Sequence, residues 1–241
     1  MNRNQLIALA YKYHGEVNQM YNAINNNEEI EGLEAKNAIT ILDAIYPESL
    51  KELKNPPLVL FYKGNINLLN ETCVGVVGSR LNTEYARKVT IDLVNVLKYK
   101  YCIVSGMAKG IDGIAHKTAV DQKTIAVLGS GIEYIYPFNN KDLYYELSEK
   151  QLIISEYPGY TKPLAFHFPI RNRIIAALSQ KLFVMQSSTK SGTLITVNEA
   201  LNLNKEIYAL PFAIDVIEGQ GTNILIEEGA NLILYDNFCD Y

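Results

Sequence analysis

The sequence predicts an α/β fold in which a mainly parallel β-sheet is covered by helices on both faces. Short runs of consecutive apolar residues recur along the chain, and stretches with apolar residues at helical spacing separate them. Apolar strands that alternate with helices are typical of a parallel sheet buried on both faces. Because right-handed crossovers place the carboxyl ends of such strands at one edge, we expect a ligand outside that edge.

The first part of the chain, residues 1–55, differs from the rest. It is rich in Asn and Glu, apolar residues such as Leu6 and Leu9 recur at helical spacing, and no strand-like run is present. We therefore predict a small all-helical N-terminal domain over residues 1–55. Pro47, Pro56 and Pro57 punctuate the polar stretch at its end, so the sheet domain is predicted over residues 56–241.

Apolar runs then predict the strands in order along the sheet domain, with helices near Glu84 to Lys98 and from about Gly110. The predicted strands are Leu58 to Tyr62, Cys73 to Val77, Tyr101 to Val104, Thr124 to Leu128, Leu152 to Ile154, Leu182 to Met185, Glu206 to Leu210 and Leu232 to Leu234.

The composition narrows the possible environments and functions. An apolar content of 48% is enough for a sizeable core. The three cysteines lie far apart in the sequence, and two of them lie in apolar strand-like runs, which favours buried thiols over a disulfide or a metal set. The three histidines form no metal-binding pattern. Without a signal peptide or an apolar run of membrane length, the chain is expected in the cytoplasm, with no membrane contact.

Known catalytic and nucleotide-binding motifs are missing. The sequence contains no G-x-G-x-x-G after its first predicted parallel strand, no Walker-type phosphate loop and no G-x-S-x-G nucleophile elbow. NAD and ATP both become less favoured ligands. We expect no enzyme, no metal and no cofactor.

Small residues and cations follow three of the predicted strands. Glycine lets a phosphate approach the backbone, and a helix N-terminus supplies partial positive charge. Glycines also follow strands simply to make turns, but three such loops at one edge favour a phosphate site. The candidates are Gly78, Ser79, Arg80, Ser105, Gly106, Lys109, Lys190, Ser191, Gly192 and Thr193.

Aromatic and basic residues alternate in the stretch from Lys162 to Arg173. Bases of single-stranded nucleic acid stack on aromatic rings while cations follow the backbone, so we add the candidates Lys162, Phe166, His167, Phe168 and Arg171. Arg171 and Arg173 point different ways on a helix, which favours Arg171 for the ligand and Arg173 as a brace.

Each of these interpretations has a structural alternative. Phe166 or Phe168 could fill the core, Arg80 could pair with an acid on a neighbouring helix, and Asp112 is explained by capping of a helix N-terminus.

Charge is distributed unevenly along a chain whose net charge is −4. Residues 157–205 carry six cations and one acid, whereas residues 206–241 carry seven acids and no Lys or Arg. An acidic protein can bind a polyanion if one face collects its positive charge. Solvated helix faces of opposite sign are the alternative.

Several motifs resemble the DNA-processing protein A (DprA/Smf) family, in the same order over most of the chain. They are YPESLKELKNPPLVLFYKGN (46–65), GVVGSR (75–80), SGMAKGID (105–112), AVLGSGIEYIYPFNN (126–140), SEYP (155–158), FPIRNRIIAALS (168–179), KSGTLIT (190–196) and GTNILIEEGA (221–230).

The resemblance implies an extended Rossmann-like domain after a small helical (SAM-like) one. It also implies binding of single-stranded DNA, a homodimer formed near Asn223 to Leu234, and loading of the RecA recombinase during natural transformation. Arg80 would contact DNA phosphate, and Gly106, Ser191 and Gly192 would supply phosphate-binding backbone.

Two departures from the family pattern stand out. Many members continue into a winged-helix domain, which we do not expect here because the sequence stops at Tyr241. Gln186-Ser187 and Pro211-Phe212 replace the usual Glu-Ala and Pro-Gly. The alternative functions are a cytokinin-activating (LOG-like) nucleotide phosphoribohydrolase, although its PGGxGT loop is missing, and a sensor of small nucleotides.

Overall fold

The computed structural model describes residues 1–241 and contains one nine-stranded sheet. The strand order is β1-β2-β6-β5-β4-β3-β7-β8-β9. The strands are β1 (Ala38–Thr40), β2 (Val59–Gly64), β3 (Cys73–Val77), β4 (Cys102–Gly106), β5 (Thr124–Leu128), β6 (Leu152–Ser155), β7 (Ser179–Val184), β8 (Glu206–Ala209) and β9 (Asn231–Leu232).

Nine α-helices accompany the sheet, and short 3₁₀ turns lie at 66–70, 138–140, 217–219 and 235–237. The helices are α1 (Arg3–Lys12), α2 (Val17–Asn25), α3 (Glu48–Lys51), α4 (Glu84–Leu97), α5 (Ile111–Ala119), α6 (Lys141–Lys150), α7 (His167–Leu178), α8 (Thr193–Asn202) and α9 (Gln220–Glu227).

Helices cover both faces of the sheet, as predicted. Along β5, Ile125 and Val127 join a core beneath α7 and α8, whereas Ala126 and Leu128 join the opposite core beneath α1 and α6. This alternation follows from the period of two along a strand. Strands buried on both faces are therefore apolar throughout, which is why the sequence reveals them.

The edge formed by β1 and β2 departs from the prediction. Residues 1–55 are not all helical, because β1 pairs with β2. Strand β2 runs antiparallel to β6, so its carboxyl end lies at the opposite edge from those of the seven parallel strands β3 to β9.

The N-terminal segment packs directly on the sheet. Leu6 and Ile7 of α1 share a buried cluster with Val59 of β2 and Ala126 of β5. The division into domains at residue 55 stays a prediction. None of the helices has both the length and the apolar character needed to cross a membrane.

Candidate functional site

The carboxyl ends of β3 and β7 open into a cavity of about 760 Å³, which we call the main cavity. The loop after β3, the start of α7 and the loop between β7 and α8 line it. Nine of the predicted site residues lie in its wall: Gly78, Ser79, Arg80, Phe168, Arg171, Lys190, Ser191, Gly192 and Thr193.

Arg80 is exposed at the rim of this cavity. Its guanidinium carbon lies 5.6 Å from the centroid of the Phe168 ring, and it forms none of the twelve salt bridges in the structure, which run from Arg3–Asp43 to Lys181–Glu206. The alternative of an ion pair with a neighbouring helix is therefore wrong. A guanidinium stacked on a ring keeps its N–H fork free for a phosphate.

Arg171 lies deeper, at the floor of the cavity, and is 5% exposed. It donates from Nη1 to the carbonyl of Val127 at 2.5 Å, and its Nε has no partner. Burial lowers the pKa of Arg171, and the carboxylate of Asp112 opposes this shift. Gly106 lies against this pair, because a Cβ there would be 2.2 Å from Nη1 of Arg171 and 2.5 Å from Oδ2 of Asp112.

Asp112 does not cap α5. The residue at the N-cap position is Gly110, which makes no side-chain capping bond, and Asp112 lies buried inside the first turn. Burial raises the pKa of Asp112, whereas Arg171 lowers it. The capping interpretation is therefore wrong, and the carboxylate contributes to the electrostatics of the cavity floor.

The third loop brings the N-terminus of α8 to the main cavity. Ser191 Oγ accepts a hydrogen bond from the amide of Thr193 at 3.2 Å and satisfies one of the first amides of α8. Gly192 is exposed, and a Cβ there would meet nothing within 4 Å. Lys190 is exposed beside it and has no carboxylate partner. Positive charge and accessible backbone therefore lie together here.

A smaller cavity of about 260 Å³ adjoins the main one and shares Arg80, Tyr136, Phe168 and Arg171 with it. The predicted residue Lys109 lies in its wall. The rings of Tyr136 and Phe168 are 5.6 Å apart and tilted by 41°. The two cavities therefore form one cleft with aromatic rings along its length.

Three predicted residues lie elsewhere. Lys162, Phe166 and His167 line a separate cleft between the loop 158–167 and the turn after α1. His167 is buried, its Nε2 lies 3.0 Å from Glu16 Oε1, and its ring stacks on Tyr157 with a centroid distance of 3.9 Å. His167 therefore joins the N-terminal segment to α7.

Neither Ser105 nor Gly106 lines the wall of the main or the smaller cavity. Ser105 is fully buried and donates from Oγ to the carbonyl of Val76 at 2.6 Å, which joins β4 to β3. Arg173 donates to Glu156 at 2.6 Å, and both side chains are largely buried, so its predicted bracing role agrees with the geometry.

The sequence interpretation missed Tyr136 and Asn172 in the main cavity. Tyr136 lies in the motif AVLGSGIEYIYPFNN (126–140), but a tyrosine before a proline carries no signal of its own for a ligand. For Asn172, the available clue was its place in the sequence directly after Arg171.

Fold and site together define an α/β protein with a cleft, lined by cations and aromatic rings, at the carboxyl ends of parallel strands. A family model for DNA recombination-mediator protein A matches residues 37–239. The chain belongs to this family, as the resemblance in its motifs predicted.

Two relatives show the extent of the similarity. DNA processing protein DprA of Streptococcus pneumoniae is 41% identical over 198 residues, which cover 81% of this chain and 70% of that protein. DNA processing protein DprA of Bacillus subtilis is 37% identical over 235 residues, which cover 96% of this chain and 78% of that protein.

Solved structures agree with the fold. The crystal structure of DprA from S. pneumoniae matches with a TM-score of 0.82 and 33% identity, over 95% of this chain and 92% of that chain. A structure that describes the single-stranded DNA binding mode of DNA processing protein A from Helicobacter pylori matches with a TM-score of 0.78 and 33% identity, over 84% of this chain and 94% of that chain.

Proposed function

We propose that this protein binds single-stranded DNA in the cleft and acts in the cytoplasm as a recombination mediator during natural transformation. One observation carries the proposal: Arg80, Lys109 and Lys190 lie together around one cleft, and all three are exposed without carboxylate partners. The H. pylori relative that matches this fold binds single-stranded DNA.

The cleft offers different groups to the two parts of a nucleotide chain. Arg80, Lys190 and the first turn of α8 present positive charge to phosphates. Phe168 and Tyr136 present ring faces on which bases stack, at roughly 1–3 kcal/mol per base. Sequence-independent binding follows, because neither group reads base edges. Lys162 and Phe166, in the separate cleft, are proposed to meet the chain only beyond the main cavity.

Binding without catalysis is part of the proposal. The cleft holds one buried carboxylate, Asp112, beside the guanidinium of Arg171, and no histidine. Incubation with nucleoside monophosphates should release no free base. Release of base would favour the phosphoribohydrolase alternative.

The proposed partners are RecA and a second copy of this chain. A mediator protects the incoming strand and helps RecA to assemble on it. We therefore expect RecA filaments to form faster on oligonucleotides when this protein is present, and no acceleration would contradict this role.

Replacing Arg80 with alanine tests the binding site. We expect Arg80→Ala to weaken binding of all single-stranded sequences by about ten- to a hundredfold, since a charge-assisted hydrogen bond contributes about 1.5–3 kcal/mol. The slope of log K against log[salt] should fall by about 1. Fluorescence anisotropy with labelled oligonucleotides at several salt concentrations measures both.

Arg87→Ala provides the matched control. Arg87 is exposed on α4 and paired with Glu84 at 2.6 Å, away from the cleft. Its replacement should leave affinity and salt slope unchanged. If Arg80→Ala behaves like Arg87→Ala, the site proposed here is wrong.

A further inference from the structure

A row of exposed aromatic residues continues from the cleft along the turn before α6. Tyr136, in the cleft wall, is 41% exposed, Phe138 is 73% exposed and Tyr145 is 47% exposed. Singly exposed apolar residues are common on protein surfaces. Rings that follow one another outward from a binding cleft are not, and they indicate an interaction surface.

A lysine lies between the two outer rings. Lys141 Nζ is 5.5 Å from the centroid of Phe138 and 5.9 Å from that of Tyr145. Both Lys141 and Lys109 are exposed, and neither forms a salt bridge. Asp142 is also exposed, but it lies in the first turn of α6, where the helix dipole stabilises a carboxylate.

This turn is fixed to the cleft by a buried amide. Asn140 donates from Nδ2 to the carbonyls of Met107 at 2.9 Å and Ala108 at 3.0 Å. Those residues belong to the loop after β4 that carries Lys109 and lines the smaller cavity, as does Pro137. Phe138 is therefore held in a defined position next to the cleft, although its ring is in solvent.

We propose that Phe138, Lys141 and Tyr145 form a stacking platform for the part of the single strand that leaves the cleft. The alternation of cation and ring continues that of Arg80, Phe168 and Tyr136 inside the cleft. Bases stack on the two rings and Lys141 neutralises a phosphate between them. This inference rests on the proposed function and extends the same site.

Oligonucleotides of two lengths distinguish binding at the platform from binding in the cleft. We choose oligo-dT of about 4 and about 16 nucleotides, the limits of site sizes for single-stranded DNA-binding folds. The double variant Phe138→Ala/Tyr145→Ala should weaken binding of the longer oligonucleotide at least fivefold, the equivalent of about 1 kcal/mol for one lost stack. Binding of the shorter one should not change.

Tyr99→Ala is the matched control. Tyr99 is 72% exposed and has a lysine, Lys98, 5.6 Å from its ring, but it lies before β4, at the amino edge of the sheet. Its removal should affect neither oligonucleotide. The platform is overturned if the double variant loses the same affinity for both oligonucleotides. It is also overturned if the variant binds the longer one as tightly as the unaltered protein does. Failure of the unaltered protein to bind either length overturns the proposed function itself.

A second measurement does not depend on affinity. The chain contains no tryptophan, so Phe138→Trp places a single fluorescent reporter on the platform. Stacking on a base should quench this fluorescence with the longer oligonucleotide and not with the shorter one. Absence of quenching at saturation with the longer oligonucleotide contradicts the proposal.

Discussion

His116 shows how burial determines the charge of a single residue. Its Nδ1 lies 2.7 Å from Thr124 Oγ1, which itself donates to the carbonyl of Ile103, so Nδ1 carries the proton. Nε2 is buried without a partner. Burial lowers the pKa of His116 to about 4, since a second proton would place an unpaired charge in the core.

Stability should consequently fall in mild acid. Between pH 6.5 and about 4 the unfolded chain takes up a proton at His116 that the folded chain does not. The free energy of unfolding should therefore decrease across this range, by up to about 3 kcal/mol. Urea titrations at several pH values, compared with His116→Gln, measure this contribution.

The comparison with the variant isolates His116 from other buried groups. Burial raises the pKa of Asp112 and of Glu156, and these acids act in the opposite direction as the pH falls. Both remain in His116→Gln, so only the histidine contribution should disappear. Parallel pH profiles of the two proteins would refute the inference.

At the scale of elements, two neighbours hold the loop between β3 and α4 that carries Arg80. Gln186, after β7, accepts from the amide of Thr83 at 2.8 Å and donates to the carbonyl of Leu81 at 3.3 Å. On the other side, Gly110 has a φ of 74°, and a Cβ there would lie 2.3 Å from the carbonyl oxygen of Ser79. A carboxylate at position 186 could not donate to Leu81, so the amide group of Gln186 has a structural role.

Removing Gln186 should loosen this loop. We expect Gln186→Ala to lower the free energy of unfolding by about 1 kcal/mol, because the half-buried amide of Thr83 loses its partner. Affinity for single-stranded DNA should fall less than in Arg80→Ala. Denaturant titration and anisotropy measure the two effects, with Gln122→Ala, an exposed glutamine after α5, as control. Affinity equal to that of the unaltered protein would show that other contacts suffice to place Arg80.

At the scale of the whole molecule, the two edges of the sheet differ. The segment before β2 covers one end, where Glu16 reaches His167 and the hydroxyl of Tyr46 donates to the carbonyl of Pro57 at 2.7 Å. The other edge ends in the two-residue strand β9, beside exposed apolar side chains. These are Ile224 (40% exposed), Leu232 (42%) and Leu234 (46%).

A dimer through this second edge should depend on these residues. We expect Ile224→Glu/Leu232→Glu to shift the protein to monomers, because burial of unpaired carboxylates opposes association. Sedimentation velocity over a range of concentrations measures the equilibrium. Leu42→Glu, which changes a 58% exposed residue next to β1 at the opposite edge, should have no effect. A monomeric unaltered protein would refute the interface.

The sequence predicted some elements closely and others poorly, for physical reasons. The bounds of β3 and β5 agree because strands buried on both faces are apolar throughout. Strand β1 has only three residues and was missed, since so short a run carries no recognisable period. The start of β7 was placed three residues late because α7 ends at Leu178 and β7 begins at Ser179, with no loop between them.

For the cleft, the sequence determined that the loops after the parallel strands lie at one edge of the sheet, and the structure decided which of these loops are neighbours. The loops after β3 and β7 converge because these strands are parallel neighbours. Only the tertiary structure decided which side chains of those loops enter the cleft. At the start of α7, Phe168 faces the cleft, whereas Lys162 and Phe166, in the irregular stretch before α7, line the separate cleft beside the turn after α1. No repeating period relates sequence to side-chain direction in such a stretch, and packing against distant segments determines it.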